Sequence, residues 1–196
     1  MSTPLELPAQ LAWASDDRKA LFAQWLSPLV ARHGLQVSGL EAASADASFR
    51  RYFRVSPASG AQPGASTNST SGAAMTSLIA MDAPPDKEDC RPFVRIAGLL
   101  AEAGLHVPRV LEQNLEQGFL LLSDLGQRTY LDALRSEAPD PLYRQAIAAL
   151  VCLQSASRPD VLPPYDRALM MRELQLLPEW YLSQQLRVTL TGAQQQ

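Results

Sequence analysis

Gly118-Phe119-Leu120-Leu121-Leu122-Ser123-Asp124-Leu125-Gly126 divides the chain into two kinds of sequence. Residues 118–122 form a continuous apolar run without polar alternation, the pattern of a strand covered on both faces, and Ser123-Asp124-Leu125-Gly126 breaks it. Before this point short apolar stretches alternate with period two. After it the pattern is helical, over residues 129–135, about 141–157 and 166–186, the last stretch carrying Leu169, Leu176, Leu177, Trp180 and Tyr181. Runs of strands followed by runs of helices predict an α+β fold in two layers or two lobes.

Ser15, Asp16 and Asp17 read as a cap and acidic first turn, after which Leu21, Phe22, Trp25, Leu26, Leu29 and Val30 recur at helical spacing until Gly34, with a bend expected at Pro28. Leu35, Val37 and Leu40 then alternate as a strand. A small polar loop over residues 43–48 leads to its antiparallel partner, Arg50-Arg51-Tyr52-Phe53-Arg54-Val55. Residues 56–77 are almost wholly Ser, Ala, Gly, Pro, Thr and Asn, too poor in apolar area to offset ordering entropy, so a disordered hairpin tip is expected. A third strand follows at residues 77–81. Pro84, Pro85, Lys87 and Glu88 introduce a helix carrying Phe93, Ile96, Leu99, Leu100 and Ala103, and a fourth strand from Val107 turns near Asn114 into the apolar run.

The 196 residues have a formal net charge of −3, and the 15 arginines and two lysines are scattered, which disfavours a nucleic-acid partner. No 18-residue apolar run exists, and the first 20 residues lack a basic start and an apolar stretch, so no membrane partner and a cytoplasmic location are expected. Cys90 and Cys152 stand alone, with His33 and His106 as the only possible imidazole co-ligands. They read as small buried hydrophobes, not a disulfide or a zinc site.

Four blocks are more specific: residues 45–54 (ADASFRRYFR), 81–94 (MDAPPDKEDCRPFV), 118–126 (GFLLLSDLG) and 173–182 (ELQLLPEWYL). In this order they resemble the bacterial anomeric sugar kinases that phosphorylate N-acetylmuramate and N-acetylglucosamine in cell-wall and peptidoglycan recycling, within the aminoglycoside-phosphotransferase superfamily. The likeness runs from about residue 40 to 186. It implies a protein-kinase-like small lobe, a five-stranded antiparallel sheet plus helix, followed by the start of a helical large lobe. The expected divisions are an N-terminal helix over 1–34, the small lobe over 35–122 with the insert at 56–77, a hinge over 123–126, and a partial helical lobe over 127–196.

The resemblance implies ATP and Mg²⁺ as cofactors and an amino sugar as substrate. A turn between strands covers a triphosphate when its N–H groups point inward. Here Ser44 and Ser48 would add hydroxyl donors, Phe49 belongs to the same turn, and Arg50 or Arg51 would supply a cation; the bare reading is an ordinary hairpin with solvated arginines. A kinase third strand usually bears a lysine for the α and β phosphates, as in V-A-I-K. The aligned residues here are Leu78-Ile79-Ala80-Met81, and Lys19 and Lys87 lie elsewhere, so an arginine of the 50–54 strand is the candidate replacement. Asp82 would hold a cation or cap the next turn, the cap being favoured. Leu122, Ser123, Asp124 and Leu125 would offer adenine the hinge backbone, although as bare sequence they are a strand and a turn.

Phosphoryl transfer also needs a carboxylate to orient the acceptor hydroxyl and ligands for the metal. After Asn114 there is no Asn and after His106 no His, and Asp160, Asp166, Glu173 and Glu179 lack catalytic-loop surroundings. Glu173 is the candidate substrate contact against a plain reading as a surface carboxylate paired to Arg172 or left in water. No catalytic residue or metal ligand is assigned. The expectation is that the chain stops inside the large lobe, truncated before the catalytic loop and inactive alone, the rival being a non-catalytic nucleotide-binding or interaction module of pseudokinase type.

Overall fold

The computed structural model describes residues 5–45, 48–58 and 77–194, in two compact units, Met1–Ser155 and Ala156–Gln196. In the first unit, helix α1 (Asp16–His33) begins where the Ser15 side chain accepts the Arg18 amide at 3.1 Å and ends at Gly34, whose φ of 60° closes the helix. It is continuous through Pro28. Strands β1 (Leu35–Ala45), β2 (Arg51–Pro57), β3 (Leu78–Asp82), β4 (Val110–Asn114) and β5 (Phe119–Ser123) form one antiparallel sheet in the order β1-β2-β3-β5-β4. Helix α2 (Arg91–Glu102) connects β3 to β4. The five-stranded antiparallel sheet with its helix, followed by helices, is the α+β arrangement expected.

Strand alternation assigns each side chain to one of two covered faces. Phe53, Val55, Leu78, Ala80, Phe119 and Leu121 pack with Phe22, Leu26 and Leu29 of α1. Met81, Leu120 and Leu122 pack with Phe93 and Val94 at the start of α2. The unbroken apolar run of β5 follows from this, because its neighbours bury both faces.

Several boundaries differ from the expectation. The polar stretch after residue 42 remains in β1: Ser44 and Ala45 pair with Tyr52 and Arg51, and two register irregularities absorb the mismatch. Strand β4 starts after Pro108, which has no N–H to give a ladder. Most of the expected insert lies outside the described residues, while Ser56 and Pro57 at its start belong to β2.

Asp82, fully buried at the end of β3, corrects the cap reading. Its Oδ1 accepts from Arg18 Nε at 2.9 Å and Nη2 at 2.6 Å, and its Oδ2 accepts from Arg51. Arg18 lies 4.1 Å over the Phe119 ring and Arg51 4.8 Å over the Trp13 ring, so one carboxylate ties α1 and the segment before it to the sheet.

The first unit continues through α3 (Tyr130–Ala133), opened by a Thr129–Asp132 capping box, into α4 (Pro139–Ala156), in which no residue is buried. In the second unit, α5 (Arg167–Leu176) passes into a π-helical segment, Leu177–Gln185, where Pro178 has no N–H to continue the α-helical ladder. Among the described residues, no helix is long and apolar enough to cross a membrane.

Candidate functional site

Where the α2 face of the sheet meets the end of β5, it opens into a cleft of about 310 Å³. Its walls are Tyr52 from β2, Ile79 from β3, Phe93 from α2, Pro108 and Leu122, and its rim is residues 123–126 with Arg54 behind. Apolar walls closed by an edge of backbone suit a flat heteroaromatic ring.

The rim is fixed by charge. Arg54 Nε donates to Asp124 Oδ2 at 2.5 Å and its Nη2 to Oδ1 at 3.3 Å, while Ser77 Oγ and the Gly126 amide donate to the same carboxylate at 2.5 and 2.8 Å. The Arg54 hydrogen bond, with smaller help from Ser77 and Gly126, outweighs burial and holds the Asp124 carboxyl down at about 2. Ser123 is also committed: its hydroxyl accepts the Arg109 amide at 2.8 Å and its own amide donates to Arg109 O at 2.9 Å. Among the described residues, no hydrogen bond engages the peptide N–H or C=O of Asp124 or Leu125. The segment after β5 therefore offers two adjacent peptide units at the mouth of an apolar slot.

The other end of the same face is the turn before β2. Glu88 accepts the Phe49 amide at 3.3 Å and Arg50 Nη2 at 3.2 Å, and Ser48 Oγ accepts the Arg50 amide at 3.2 Å. The Phe49 side chain is exposed. Arg50 directly precedes β2, Tyr52 and Arg54 are the alternate residues within it, and four residues of strand carry the chain roughly 13 Å from the turn to Arg54 at the cleft rim. Ser44 sits opposite Tyr52 in β1.

Arg51 is a correction. Alternation sends it to the α1 face, where Asp82 and the Ala12 carbonyl hold it, so it does not join Arg50. Met81, at the third-strand lysine position, is fully buried against the start of α2. Glu173 is exposed on α5 and accepts the Tyr165 hydroxyl, with no pairing to Arg172. A second, larger groove of about 930 Å³ lies along α1, lined by Leu5, Ala20, Ala23 and Pro28 among others.

Sequence reading missed Tyr52, Ile79, Phe93 and Glu88, and it offered Arg54 only among the arginines of the 50–54 strand, without its clamp on Asp124. The period-two alternation of β2 carried the signal for Tyr52 and Arg54, since it sets residues 50, 52 and 54 against residues 51, 53 and 55. No group of three or more His, Cys, Asp or Glu able to hold a metal occurs among the described residues.

The profile of the phosphotransferase enzyme family, APH, matches residues 39–195. The chain is 53% identical over 150 residues to the N-acetylmuramate/N-acetylglucosamine kinase of Pseudomonas aeruginosa, covering 76% of this chain and 40% of that protein. It is 48% identical over 155 residues to the protein of that name from Pseudomonas putida, covering 79% and 41%, and 39% identical over 158 residues to that from Neisseria meningitidis serogroup B, covering 79% and 42%. The chain thus spans about two fifths of the length of the curated relatives it matches.

Proposed function

Because this chain belongs to the phosphotransferase enzyme family, we propose that it carries the nucleotide-binding half of an ATP-dependent sugar kinase. The observation that carries the reading is the cleft at the end of β5, whose Tyr52, Ile79, Phe93 and Leu122 walls would sandwich adenine while the peptide groups of Asp124 and Leu125 meet its hydrogen-bonding edge. The printed names of the relatives supply the acceptor, an amino sugar such as N-acetylmuramate or N-acetylglucosamine. Consumption of ATP agrees with a cytoplasmic enzyme.

In this reading the chain positions the donor nucleotide and excludes water from its base. During transfer the sugar hydroxyl oxygen bonds to the γ-phosphorus, the bond to the bridging oxygen breaks, ADP leaves, and a base takes the hydroxyl proton. The described residues do not fit a magnesium ion: no group of three or more His, Cys, Asp or Glu among them could hold one, and Asp82 and Asp124 are each engaged by arginine. Acceptor base and metal ligands are assigned to residues outside this segment, in keeping with the two fifths of each relative that it spans. Glu173 is the candidate sugar contact within it, and the segment alone is inactive.

The test is coupled detection of ADP with N-acetylmuramate and N-acetylglucosamine, using the product of the complete reading frame beside the 196-residue chain. Sugar-dependent ADP release by the former and none by the latter is the expected result. A complete product that binds ATP without turnover would instead support a non-catalytic nucleotide-binding module, a reading that the buried Met81 favours.

A further inference from the structure

We infer that Arg50, held in place by Glu88, binds the polyphosphate of the nucleotide, that Glu88 is its positioning residue, and that Arg51 serves only the fold; this deepens the nucleotide-site reading and rests on it. A polyphosphate lying on this face needs a cation, and Met81 leaves β3 without one. Arg50 is the half-buried cation at the turn end of the row that reaches the cleft rim at Arg54, so a base at Asp124 and Leu125 directs its phosphates along β2 toward it; Lys87, 6.0 Å over the Phe49 ring, is the more exposed cation and pairs with Asp86.

Three observations separate Arg50 from an ordinary surface arginine. Glu88 receives both the Phe49 amide and the Arg50 guanidinium, which staples the turn to the segment entering α2 and aims the side chain. The guanidinium is mostly covered, with its Nε–H buried and without a hydrogen-bond partner among the described residues, a donor left unsatisfied in this arrangement. Nearby Cys90 is buried and burial pushes its thiol up, so it remains neutral and Glu88 is the anion bonded to Arg50. Arg51, by contrast, is fully accounted for by Asp82, Ala12 and Trp13 on the opposite face.

Calorimetric titration of the 196-residue chain with adenosine, ADP and ATP tests this, using Arg50→Ala, Arg50→Lys, Glu88→Gln, Arg51→Ala and Arg51→Lys. Arg50→Ala should weaken ATP about tenfold or more while adenosine changes less than about twofold, because only the charged contact is lost. Arg50→Lys should recover most of the ATP affinity. Glu88→Gln should weaken ATP with adenosine unchanged, an effect that general loss of folding would not produce. Both Arg51 variants should keep the wild-type ratio of ATP to adenosine affinity, with Arg51→Lys available should Arg51→Ala unfold. An unchanged ratio in Arg50→Ala, or a ratio lowered by Arg51→Lys, overturns the assignment. Wild-type protein that binds none of the three ligands overturns the nucleotide site itself.

Discussion

Replacing Asp82 by Ala should be among the most damaging single changes in the first unit. The substitution leaves Arg18 and Arg51, 11% and 23% exposed, facing a site from which their shared carboxylate has gone. Removing one partner of a buried ion pair costs about 3–5 kcal/mol, because the remaining charge stays desolvated. Arg18 keeps the Gln117 carbonyl and the Phe119 ring, and Arg51 keeps the Ala12 carbonyl and the Trp13 ring, which places the loss near the low end, about 3 kcal/mol. Against a typical stability of about 5–15 kcal/mol that is a large fraction. Urea unfolding followed by tryptophan fluorescence reports it directly, since Trp13 stacks 5.0 Å from Phe53 and Trp25 5.2 Å from Phe119. The triple change Arg18→Met, Asp82→Leu, Arg51→Met removes the charges together and should recover most of the loss. A loss below about 1 kcal/mol for Asp82→Ala would refute the reasoning.

Acid should weaken the Arg54–Asp124 clamp. The folded Asp124 carboxyl is held near 2 by Arg54, below its ordinary value of 3.8, so its contribution of about 2 kcal/mol is present above pH 4 and is lost as pH falls toward 2; Asp124→Asn should flatten that part of a stability-versus-pH curve. Gly118→Ala should lower the urea midpoint sharply, because φ is +72° and the new methyl would meet Ala83 O at 1.8 Å, whereas Gly98→Ala in α2, with nothing within 4 Å, should raise stability by up to about 1 kcal/mol. The exposed Ile147, Leu150 and Val151 of α4 should make the 196-residue chain self-associate, and light scattering should show the association reduced when these three become polar.

The fold was legible where burial leaves a periodic trace. The apolar run of β5 announced a strand covered twice, and Ser15 and Gly34 marked both ends of α1, because caps act locally. What escaped depended on partners distant in sequence. Asp82 resembles a turn residue until Arg18, 64 positions earlier, folds over it. Likewise Arg50 and Arg51 are neighbours of one type in the sequence, and only their distant partners, Glu88 for Arg50 and Asp82 for Arg51, tell them apart. Ser123 to Leu125 were singled out by resemblance, and the structure sets them at the rim of the β5 cleft, while the Arg54 clamp on Asp124 needed the 70-residue separation closed.

Amide chemical-shift mapping on the ¹⁵N-labelled 196-residue chain, titrated with adenosine and then ATP, tests the central claim most directly. The account predicts that adenosine perturbs most strongly the amides of Tyr52, Ile79, Asp124 and Leu125, and that ATP extends the perturbation to Phe49 and Arg50. Perturbation confined to the groove along α1, at Leu5, Lys19 and Ala23, or none at Asp124 and Leu125 with either ligand, would contradict it.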